Sequence, residues 1–389
     1  MQELFEYMNN QMTLKYSEFK RYVYKTLPWE AQMFALIGPR GAGKTTLFLQ
    51  RIHDEHEPGE ALYVSLDHMY FSDHTLFEVA DEFVKSGGKY LYVDEVHVYE
   101  HWSRELKNIY DCHPDLKVYF TGSSALNILD GEADLSRRAP VFKMQGLSFR
   151  EYLNLVKNVP CPVYSLQEIL QGKANVPGVA HPLPFFREYL RDGYYPFMTE
   201  IASNIRIEQI VNSTLQFDIP QIANLSVATG RKLKKLMVAI AESVPFKPNV
   251  VQLASRIGAS RNSVDEYLTF LEDAGMIMRL RDGAGAFAGL GKVSKVYLDN
   301  CTLMNVLSAG AADIGCVRET FFFNQMRVNH RVCSSAASDF EVDGFTFEVG
   351  GRGKTGKQVA GLDDAYVVKD GIEYAAGNVI PLWCFGLNY

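Results

Sequence analysis

The stretch Met33-Phe-Ala-Leu-Ile-Gly-Pro-Arg-Gly-Ala-Gly-Lys-Thr-Thr46 joins an apolar run to a glycine-rich turn and then to the start of a helical pattern. Residues 38–45 fit the pattern G-x-x-x-x-G-K-[ST] in full. Glycines in this pattern let successive backbone N–H groups surround phosphate oxygens, and the N-terminus of the following helix favours anions. Because a strand and a helix flank it in the required order, the stretch predicts a phosphate-binding loop rather than a chance glycine-rich turn.

Two acidic residues end another apolar run further along the chain, Tyr90-Leu-Tyr-Val-Asp94-Glu95. Asp94 is suited to bind Mg²⁺ directly or through water, and Glu95 is suited to polarise the water that attacks the γ-phosphate. A strand followed by a solvated turn is the alternative, but the complete phosphate loop upstream favours nucleotide chemistry. A base at Glu95 indicates an ATPase rather than a kinase, whose base lies near an acceptor substrate.

Polar residues follow the next apolar run, which ends at Thr121. Thr121, Ser123 and Ser124 are candidates to sense the γ-phosphate, and capping of a helix by Ser124 is an equal alternative. The pair Arg137 and Arg138 is a candidate to stabilise charge on the transferring phosphoryl group, in cis or from a neighbouring subunit. Exposed arginines on a solvated turn are the alternative for that pair.

The nucleotide site is thus predicted from residue types that bind phosphate or promote hydrolysis. Lys44 is expected to reach the β- and γ-phosphates, and Thr45 and Asp94 are the expected Mg²⁺ ligands, so that ATP and Mg²⁺ are the expected cofactors. Of the residues after the acidic pair, Trp102 is predicted to be core, and His97 remains undecided. The predicted catalytic residues are Glu95, Lys44, Arg137 and Arg138, and the predicted nucleotide-binding residues are Gly38, Pro39, Arg40, Gly41, Ala42, Gly43, Lys44, Thr45, Thr46, Asp94 and Ser123.

Short apolar runs alternate with amphipathic segments from residue 33 to about 145, which is typical of a mostly parallel α/β sheet. From about residue 147 to 227 the pattern becomes helical and irregular. The predicted strands are Met33–Ile37, Ala61–Leu66, Tyr90–Val93, Lys117–Thr121 and Pro140–Gln145, and the predicted helices between them are Lys44–His53, Thr75–Lys85 and Trp102–Cys112.

Composition excludes several classes of protein. The 389 residues are 47% hydrophobic and 22% charged, as in folded globular proteins, and not as in disordered, collagen-like or coiled-coil chains. No apolar run is long enough to span a membrane, and the start of the chain lacks the apolar core of a secretory signal. The six cysteines are scattered without a CxxC pair, which predicts reduced thiols in a cytoplasmic protein rather than disulfides or a zinc site.

A mildly basic segment lies between two acidic ones, although the whole chain has a net charge of −7. Within it, two helices around a turn at Gly258, followed by strands at Met276–Leu280 and Val293–Leu298 and the loop Asp282–Lys292, predict a helix-turn-helix with a wing. The second helix would enter a major groove if the segment reads DNA. It carries four acidic residues, however, and these would repel phosphates, so a lid or protein-contact role is favoured: Asp265, Glu266, Glu272 and Asp273.

Acidic residues also flank a tight turn near the C-terminus. From about residue 315 the pattern predicts helix, strand, strand, helix, strand, with Asp339 before the turn, Glu348 in the next strand and Glu319 on the first helix. Carboxylates arranged in this way hold Mg²⁺ in metal-dependent nucleases. A hairpin with solvated acids is the alternative.

The segments GPRGAGKTTL, YVDEVH, YFTGSSALNI, LSRRA and GLSFREYL occur in this order and resemble the prokaryotic AAA-type ATPases of the archaeal-ATPase-like group. A C-terminal nuclease-like domain of the PD-(D/E)xK kind commonly follows in that group. The resemblance implies a strand between the phosphate-loop strand and the Asp94–Glu95 strand, and an arginine finger at Arg137 or Arg138. It also implies that Asp339 and Glu348 are metal ligands, with Glu319 as an accessory acid.

The chain departs from that nuclease pattern at one position. Gly350 stands where the nuclease core has a lysine that activates water. Lys354 and Gln358 are the candidates to replace it.

The resulting fold class is an α/β P-loop NTPase with a parallel sheet of AAA type, followed by a helical region, a winged helix-turn-helix module and a small α+β nuclease-like domain. The expected boundaries are 1–152, 153–227, 228–299 and 300–389. The expected function is Mg²⁺-dependent ATP hydrolysis coupled to the C-terminal modules. The alternative is an ATP-controlled switch or scaffold whose C-terminal domain binds a DNA or protein partner without nuclease activity. Homo-oligomerisation is a further partner prediction, and no membrane association is expected.

Overall fold

The computed structural model describes residues 1–124, 135, 137–243, 245, 249–283 and 291–389. Ser136 of the LSRRA segment and residues 284–290 of the predicted wing loop lie outside these ranges. The chain divides into two compact units: the first comprises residues 1–145 and 218–225, and the second comprises residues 146–217 and 226–389.

The helices of the described residues are, in chain order, α1 (Gln2–Lys15), α2 (Lys44–Glu55), α3 (Leu76–Lys85), α4 (Trp102–Cys112), α5 (Phe149–Val156), α6 (Leu166–Leu170), α7 (Leu183–Asp192), α8 (Ser203–Ser213), α9 (Ile219–Ile222), α10 (Val227–Ala241), α11 (Val250–Ile257), α12 (Arg261–Asp273), α13 (Cys301–Leu307) and α14 (Ile314–Met326). The strands are β1 (Met33–Gly38), β2 (Ala61–Ser65), β3 (Tyr90–Asp94), β4 (Lys117–Ser123), β5 (Val141–Lys143), β6 (Ile277–Arg281), β7 (Val293–Leu298), β8 (Val332–Cys333), β9 (Phe340–Val342), β10 (Phe345–Gly350), β11 (Ala365–Lys369) and β12 (Val379–Pro381).

A parallel sheet with the strand order β2-β3-β4-β1-β5 forms the centre of the first unit. All five strands predicted for this region are confirmed, with ends that differ by one or two residues. Strand β4 lies between β1 and β3, as the resemblance implied. The carboxyl ends of β1, β3 and β4 therefore meet at one edge of the sheet, where Gly38 pairs with Ser123.

Each face of this sheet is covered by its own apolar core. One core joins β-strand side chains to α3 and α4, whose buried residues recur at helical spacing, as Leu76, Val79, Ala80 and Phe83 do. The other core joins the opposite face to α2 and to Trp29. The structure adds α1, a helix that the sequence pattern did not predict. Only Leu4 and Met8 of this helix are buried, so its sequence lacks a long apolar period.

The second unit contains the helices α5–α8 and α10–α14 and two further sheets. Helices α11 and α12 are followed by the antiparallel pair β6 and β7, which are the elements expected between residues 249 and 298. The other sheet has the order β12-β11-β10-β9-β8, with β10, β11 and β12 parallel and β8–β10 antiparallel.

The helix predicted between the strands of the C-terminal tail is wrong. Residues 351–364, all of which are described, connect β10 to β11 through turns. Four glycines in this stretch disfavour a helix, because each loses more backbone entropy than any other residue.

One apolar core runs through most of the second unit. It contains Phe149 and Phe186 from the helical region, Tyr297 from β7, and Phe321 and Phe347 from the tail. The side chains of this core come from all three segments that the sequence separates at 227/228 and 299/300. Those boundaries stay a prediction.

Neither the helices nor the cysteines decide the cellular location. None of the helices in the described ranges is both long and apolar enough to cross a membrane. All six cysteines carry free thiols. The cytoplasmic location stays a prediction.

Candidate functional site

The phosphate loop begins where β1 ends and finishes where α2 begins at Lys44. Gly43 adopts φ 98°, a left-handed conformation that side chains beyond glycine rarely take, and this turns the chain into the helix. Gly38 has no room for a side chain, because a Cβ atom there would lie 2.2 Å from the carbonyl oxygen of Met144. The two glycines therefore meet different requirements: Gly43 a local left-handed backbone, and Gly38 the close approach of another part of the chain.

Lys44 holds its ammonium group within the loop. Its Nζ donates to the carbonyl oxygens of Gly38 (2.8 Å) and Pro39 (3.2 Å). Burial lowers the pKa of Lys44, and the negative charges of Glu95 and Asp94 oppose that effect. The loop thus presents a desolvated cation beside backbone N–H groups, which suits a phosphate group.

Asp94 accepts hydrogen bonds from four donors at the end of β3. The Thr45 hydroxyl lies 2.6 Å from Oδ2 and the Tyr63 hydroxyl 2.7 Å from the same oxygen. The Thr121 hydroxyl and the Glu95 backbone N–H both donate to Oδ1, the latter at 3.1 Å. The Thr45 hydroxyl donates a hydrogen bond to Asp94. The lone pairs of the Thr45 oxygen therefore remain available to bind a cation. The residues present therefore fit Mg²⁺, with Thr45 as ligand and Asp94 holding Thr45 in orientation.

Glu95 has an unusual backbone. Its φ of 54° and ψ of 41° are left-handed, which costs about 1–3 kcal/mol for a residue with a side chain and persists only where neighbours enforce it. Its backbone N–H also lies 3.3 Å from the Thr121 hydroxyl oxygen. Burial raises the pKa of the Glu95 carboxyl, which moves it toward the range of a general base.

His97 lies between Glu95 and the phosphate loop. Its Nδ1 is 3.3 Å from Oε2 of Glu95, and its Nε2 is 3.2 Å from Nη2 of Arg40. Arg40 in turn donates from Nε and Nη2 to the two carboxylate oxygens of Asp218, both at 2.8 Å. Burial lowers the pKa of His97 to about 4, so this side chain is neutral near pH 7. The undecided residue of the sequence analysis is thus part of the site.

The loop is also braced by a buried arginine from the N-terminal part of the chain. Arg21 donates to the carbonyl oxygen of Ala42 in the loop and to that of Gln145, the latter at 2.7 Å. A guanidinium group that joins two carbonyl groups distant in sequence fixes the loop against the end of the sheet.

Three other predicted residues lie nearby. Thr121 contacts Asp94 and Glu95, as described above, and Ser123 and Ser124 are buried at the end of β4.

The two predicted arginines differ in their surroundings. Arg138 forms a two-point ion pair with Asp111 at the end of α4, with distances of 3.0 and 3.2 Å, while Arg137 is exposed. The assignment of an arginine finger stays a prediction.

The C-terminal acids already have partners within the chain. Asp339 accepts the backbone N–H of Val349 at 2.9 Å and lies 3.9 Å from Nζ of Lys295. Glu319 accepts hydrogen bonds from Lys295 (3.0 Å) and from the Tyr297 hydroxyl (2.7 Å). In the described ranges, no three or more His, Cys, Asp or Glu residues group in a way that could hold a metal ion. The metal role of Asp339 and Glu348 stays a prediction.

Lys354 fills the space above Gly350. A Cβ atom added to Gly350 would lie 2.6 Å from Cδ of Lys354, so the lysine side chain passes where a side chain at position 350 would stand. Its Nζ lies 3.3 Å from Oε1 of Glu348, which is almost fully buried. The structure thus places one of the two candidate replacement residues at the missing lysine, whereas the side chain of Gln358 accepts a hydrogen bond from Ser338.

Sequence reasoning missed three residues of the nucleotide site. Tyr63 has the signal of a hydroxyl inside a buried strand, which needs a partner. Arg21 and Asp218 carry no local signal, because their partners are distant in sequence.

Two family models match parts of the chain. A model described as an AAA domain matches residues 30–153, and a model described as a domain of unknown function matches residues 184–313. The first match covers the sheet and the nucleotide-site residues from the phosphate loop to Arg138. It supports an AAA-type P-loop ATPase, and it is consistent with the five-stranded parallel sheet.

An uncharacterized protein of Methanocaldococcus jannaschii is 26% identical over 269 residues, which covers 64% of this chain and 56% of that protein. The chain thus spans little more than half the length of this relative.

Parts of the chain are similar to several solved structures at low sequence identity. A chain from a study of katanin self-assembly is 13% identical with a TM-score of 0.31, covering 70% of this chain and 81% of that one. PCH-2 of C. elegans is 17% identical with a TM-score of 0.24 and 68% of each chain covered. Hsp104 of S. cerevisiae with ADP is 17% identical with a TM-score of 0.29, covering 69% of this chain and 39% of that one.

Proposed function

We propose that this chain hydrolyses ATP in a Mg²⁺-dependent reaction for which Glu95 polarises the attacking water. One observation carries the proposal: the Thr45 hydroxyl is bonded to Asp94 at the sheet edge where Glu95 follows. A phosphate loop alone would support only nucleotide binding. The loop, a hydroxyl oriented to bind a cation and the partly exposed Glu95 carboxylate at one edge support hydrolysis.

Each residue has a defined task in this reaction. Lys44 and the loop N–H groups bind the phosphate oxygens, and the Thr45 oxygen ligates the cation. Mg²⁺, when bound, supplies positive charge that offsets the charge of the phosphates. Asp94 keeps Thr45 oriented, and Thr121 holds both Asp94 and the backbone of Glu95. The Glu95 carboxylate accepts a hydrogen bond from the attacking water and takes up its proton as the water adds to the γ-phosphate.

Replacement of Glu95 tests this proposal. Glu95→Gln preserves the shape of the side chain but removes its basicity, so we expect ATP turnover to fall about 100-fold or more while ATP binding remains. Turnover is measured by phosphate release and binding by titration with a fluorescent ATP analogue. Glu100→Gln is the matched control, because Glu100 is exposed and outside the site. Hydrolysis by Glu95→Gln at the parental rate would remove Glu95 from this role.

A second candidate function is metal-dependent DNA cleavage by the C-terminal sheet. The specific observation in its favour is Lys354, whose ammonium group lies at Glu348 above Gly350. Under this proposal Lys354 replaces the lysine that the nuclease pattern has at position 350, and Asp339 and Glu348 bind the metal. The ATPase would then be coupled to a nuclease-like module.

The alternative is a switch whose C-terminal modules bind a partner without cutting DNA. We interpret residues 249–298 as a winged-helix module that favours protein contact over DNA reading. Glu272 accepts hydrogen bonds from both Arg279 and Arg281, so two of the module's cationic side chains are already paired within it. A module that contacts phosphates needs its cations available to them.

A further inference from the structure

The chain segment 218–225 belongs to the first unit, although the residues on both sides of it belong to the second. It reaches the nucleotide site through two contacts. Asp218 forms the two-point ion pair with Arg40 of the phosphate loop, and the Gln221 side chain lies 3.5 Å from the carbonyl oxygen of His97. Residues outside the region that matches the AAA domain model thus contact the phosphate loop at Arg40 and the backbone of His97.

The Arg40 contact determines which nitrogen of His97 carries the proton. A guanidinium group can only donate hydrogen bonds, so the Nε2 atom that faces it must accept. A neutral imidazole has one protonated nitrogen, and this must then be Nδ1. The Nδ1 proton is therefore available to Glu95.

Nδ1 of His97 and Oε2 of Glu95 are both buried, and neither has a hydrogen-bond partner among the described residues. They nevertheless lie only 3.3 Å apart. Buried polar atoms are costly without partners, and a small rotation of either side chain would align this pair. The Glu95 carboxylate thus has a donor ready on one oxygen, which leaves the other to face water.

We propose that Asp218, through Arg40 and His97, positions the Glu95 carboxylate for ATP hydrolysis. Asp218 orients Arg40, Arg40 fixes the tautomer and plane of His97, and His97 holds one oxygen of Glu95. All three are positioning residues, and none of them touches the reacting atoms in this role. The inference rests on the proposed function of Glu95 as base, and it assigns part of the site to a residue 178 positions from the phosphate loop.

The first test replaces Asp218 by Asn, which keeps its size but removes the charge that holds Arg40. We expect kcat for ATP to fall about 10-fold or more, with KM and analogue binding changed less than about threefold, because a misplaced base affects the chemical step. Asp73→Asn is the control, since Asp73 is exposed in the same unit. Wild-type kcat in Asp218→Asn would overturn the inference while the ATPase proposal stands. No turnover by the wild-type chain would overturn both.

The second test begins at His97, whose replacement leaves the Asp218–Arg40 ion pair in place. His97→Ala should lower kcat to a similar extent, while His97→Asn should recover part of it, because a carboxamide can accept from Arg40 and donate to Glu95. In a double-mutant cycle, Asp218→Asn should cost little once His97 is Ala. The proposal is wrong if the fold-losses in kcat of Asp218→Asn and His97→Ala multiply in the double variant. It is also wrong if His97→Ala and His97→Asn have equal kcat at an unchanged melting temperature.

Discussion

Two strands of this molecule carry acids predicted to bind a metal, Asp94 at the end of β3 and Glu348 near the end of β10, and a lysine lies beside each in a different way. Lys44 donates to backbone carbonyl oxygens, and Asp94 is held by neutral hydroxyl and amide donors. Glu348 is paired with the ammonium group of Lys354, and its Oε2 has no hydrogen-bond partner among the described residues. Neutral donors leave the charge of Asp94 available to a cation, whereas Lys354 already offsets that of Glu348. The difference shows that an acid at a strand end acquires its chemistry from its neighbours.

The largest effect is expected at the first site. Lys44→Ala removes the cation that meets the phosphates and leaves the carbonyl oxygens of Gly38 and Pro39 without this donor. We expect ATP affinity to fall about 100-fold, and turnover to be lost at ordinary ATP concentrations. Titration with a fluorescent analogue measures this, with Lys15→Ala on the exposed end of α1 as control. Unchanged ATP affinity in Lys44→Ala would show that Lys44 does not bind the phosphates.

The second site gives the next effect. If Lys354 replaces the lysine missing at position 350, the wild-type chain cleaves plasmid and linear DNA with Mg²⁺ or Mn²⁺, and both Glu348→Ala and Lys354→Ala abolish cleavage. Gel assays are run with and without ATP, and Lys357→Ala is the control because Lys357 is exposed on the same connection. Absent cleavage with intact ATP turnover would assign this sheet to a binding role and favour the switch.

The smallest effect concerns how Asp94 is held. Tyr63→Phe removes one of its four donors without changing the shape of the core. We expect kcat to fall several-fold, by less than about tenfold, because three donors remain, and ATP binding to stay unchanged. Steady-state kinetics measure this. A loss as large as that of Glu95→Gln would mean that Tyr63 has a direct part in the reaction.

The sheet of the first unit was largely predictable because its signals are local. Each buried strand is a short apolar run, and the phosphate loop depends on glycines at fixed spacing between a strand and a helix. The tail was less predictable, and the helix expected between β10 and β11 is replaced by turns. The stretch Gly351–Gln358 resembles the phosphate loop in its glycines and lysine, but it ends in Gln358 where the loop has Ser or Thr, so the sequence predicts no second nucleotide site there. In the structure no helix follows this stretch.

The site divides in the same way. Lys44, Thr45, Asp94 and Glu95 were singled out from the sequence alone, and the structure brings them to one edge of the sheet because the loop and strand that carry them are local features, while their roles stay a prediction. Arg21 and Asp218 could not be found there, since their partners lie 21 and 178 residues away and nothing local distinguishes them. Tyr63 shows a hydroxyl in a buried strand, but its partner Asp94, 31 residues away, appears only in the structure. Only the tertiary structure decided that His97 lies between Arg40 and Glu95, and that Lys354 lies above Gly350. The physical reason is that hydrogen bonds and ion pairs depend on distances of about 3 Å, which folding sets and sequence separation does not.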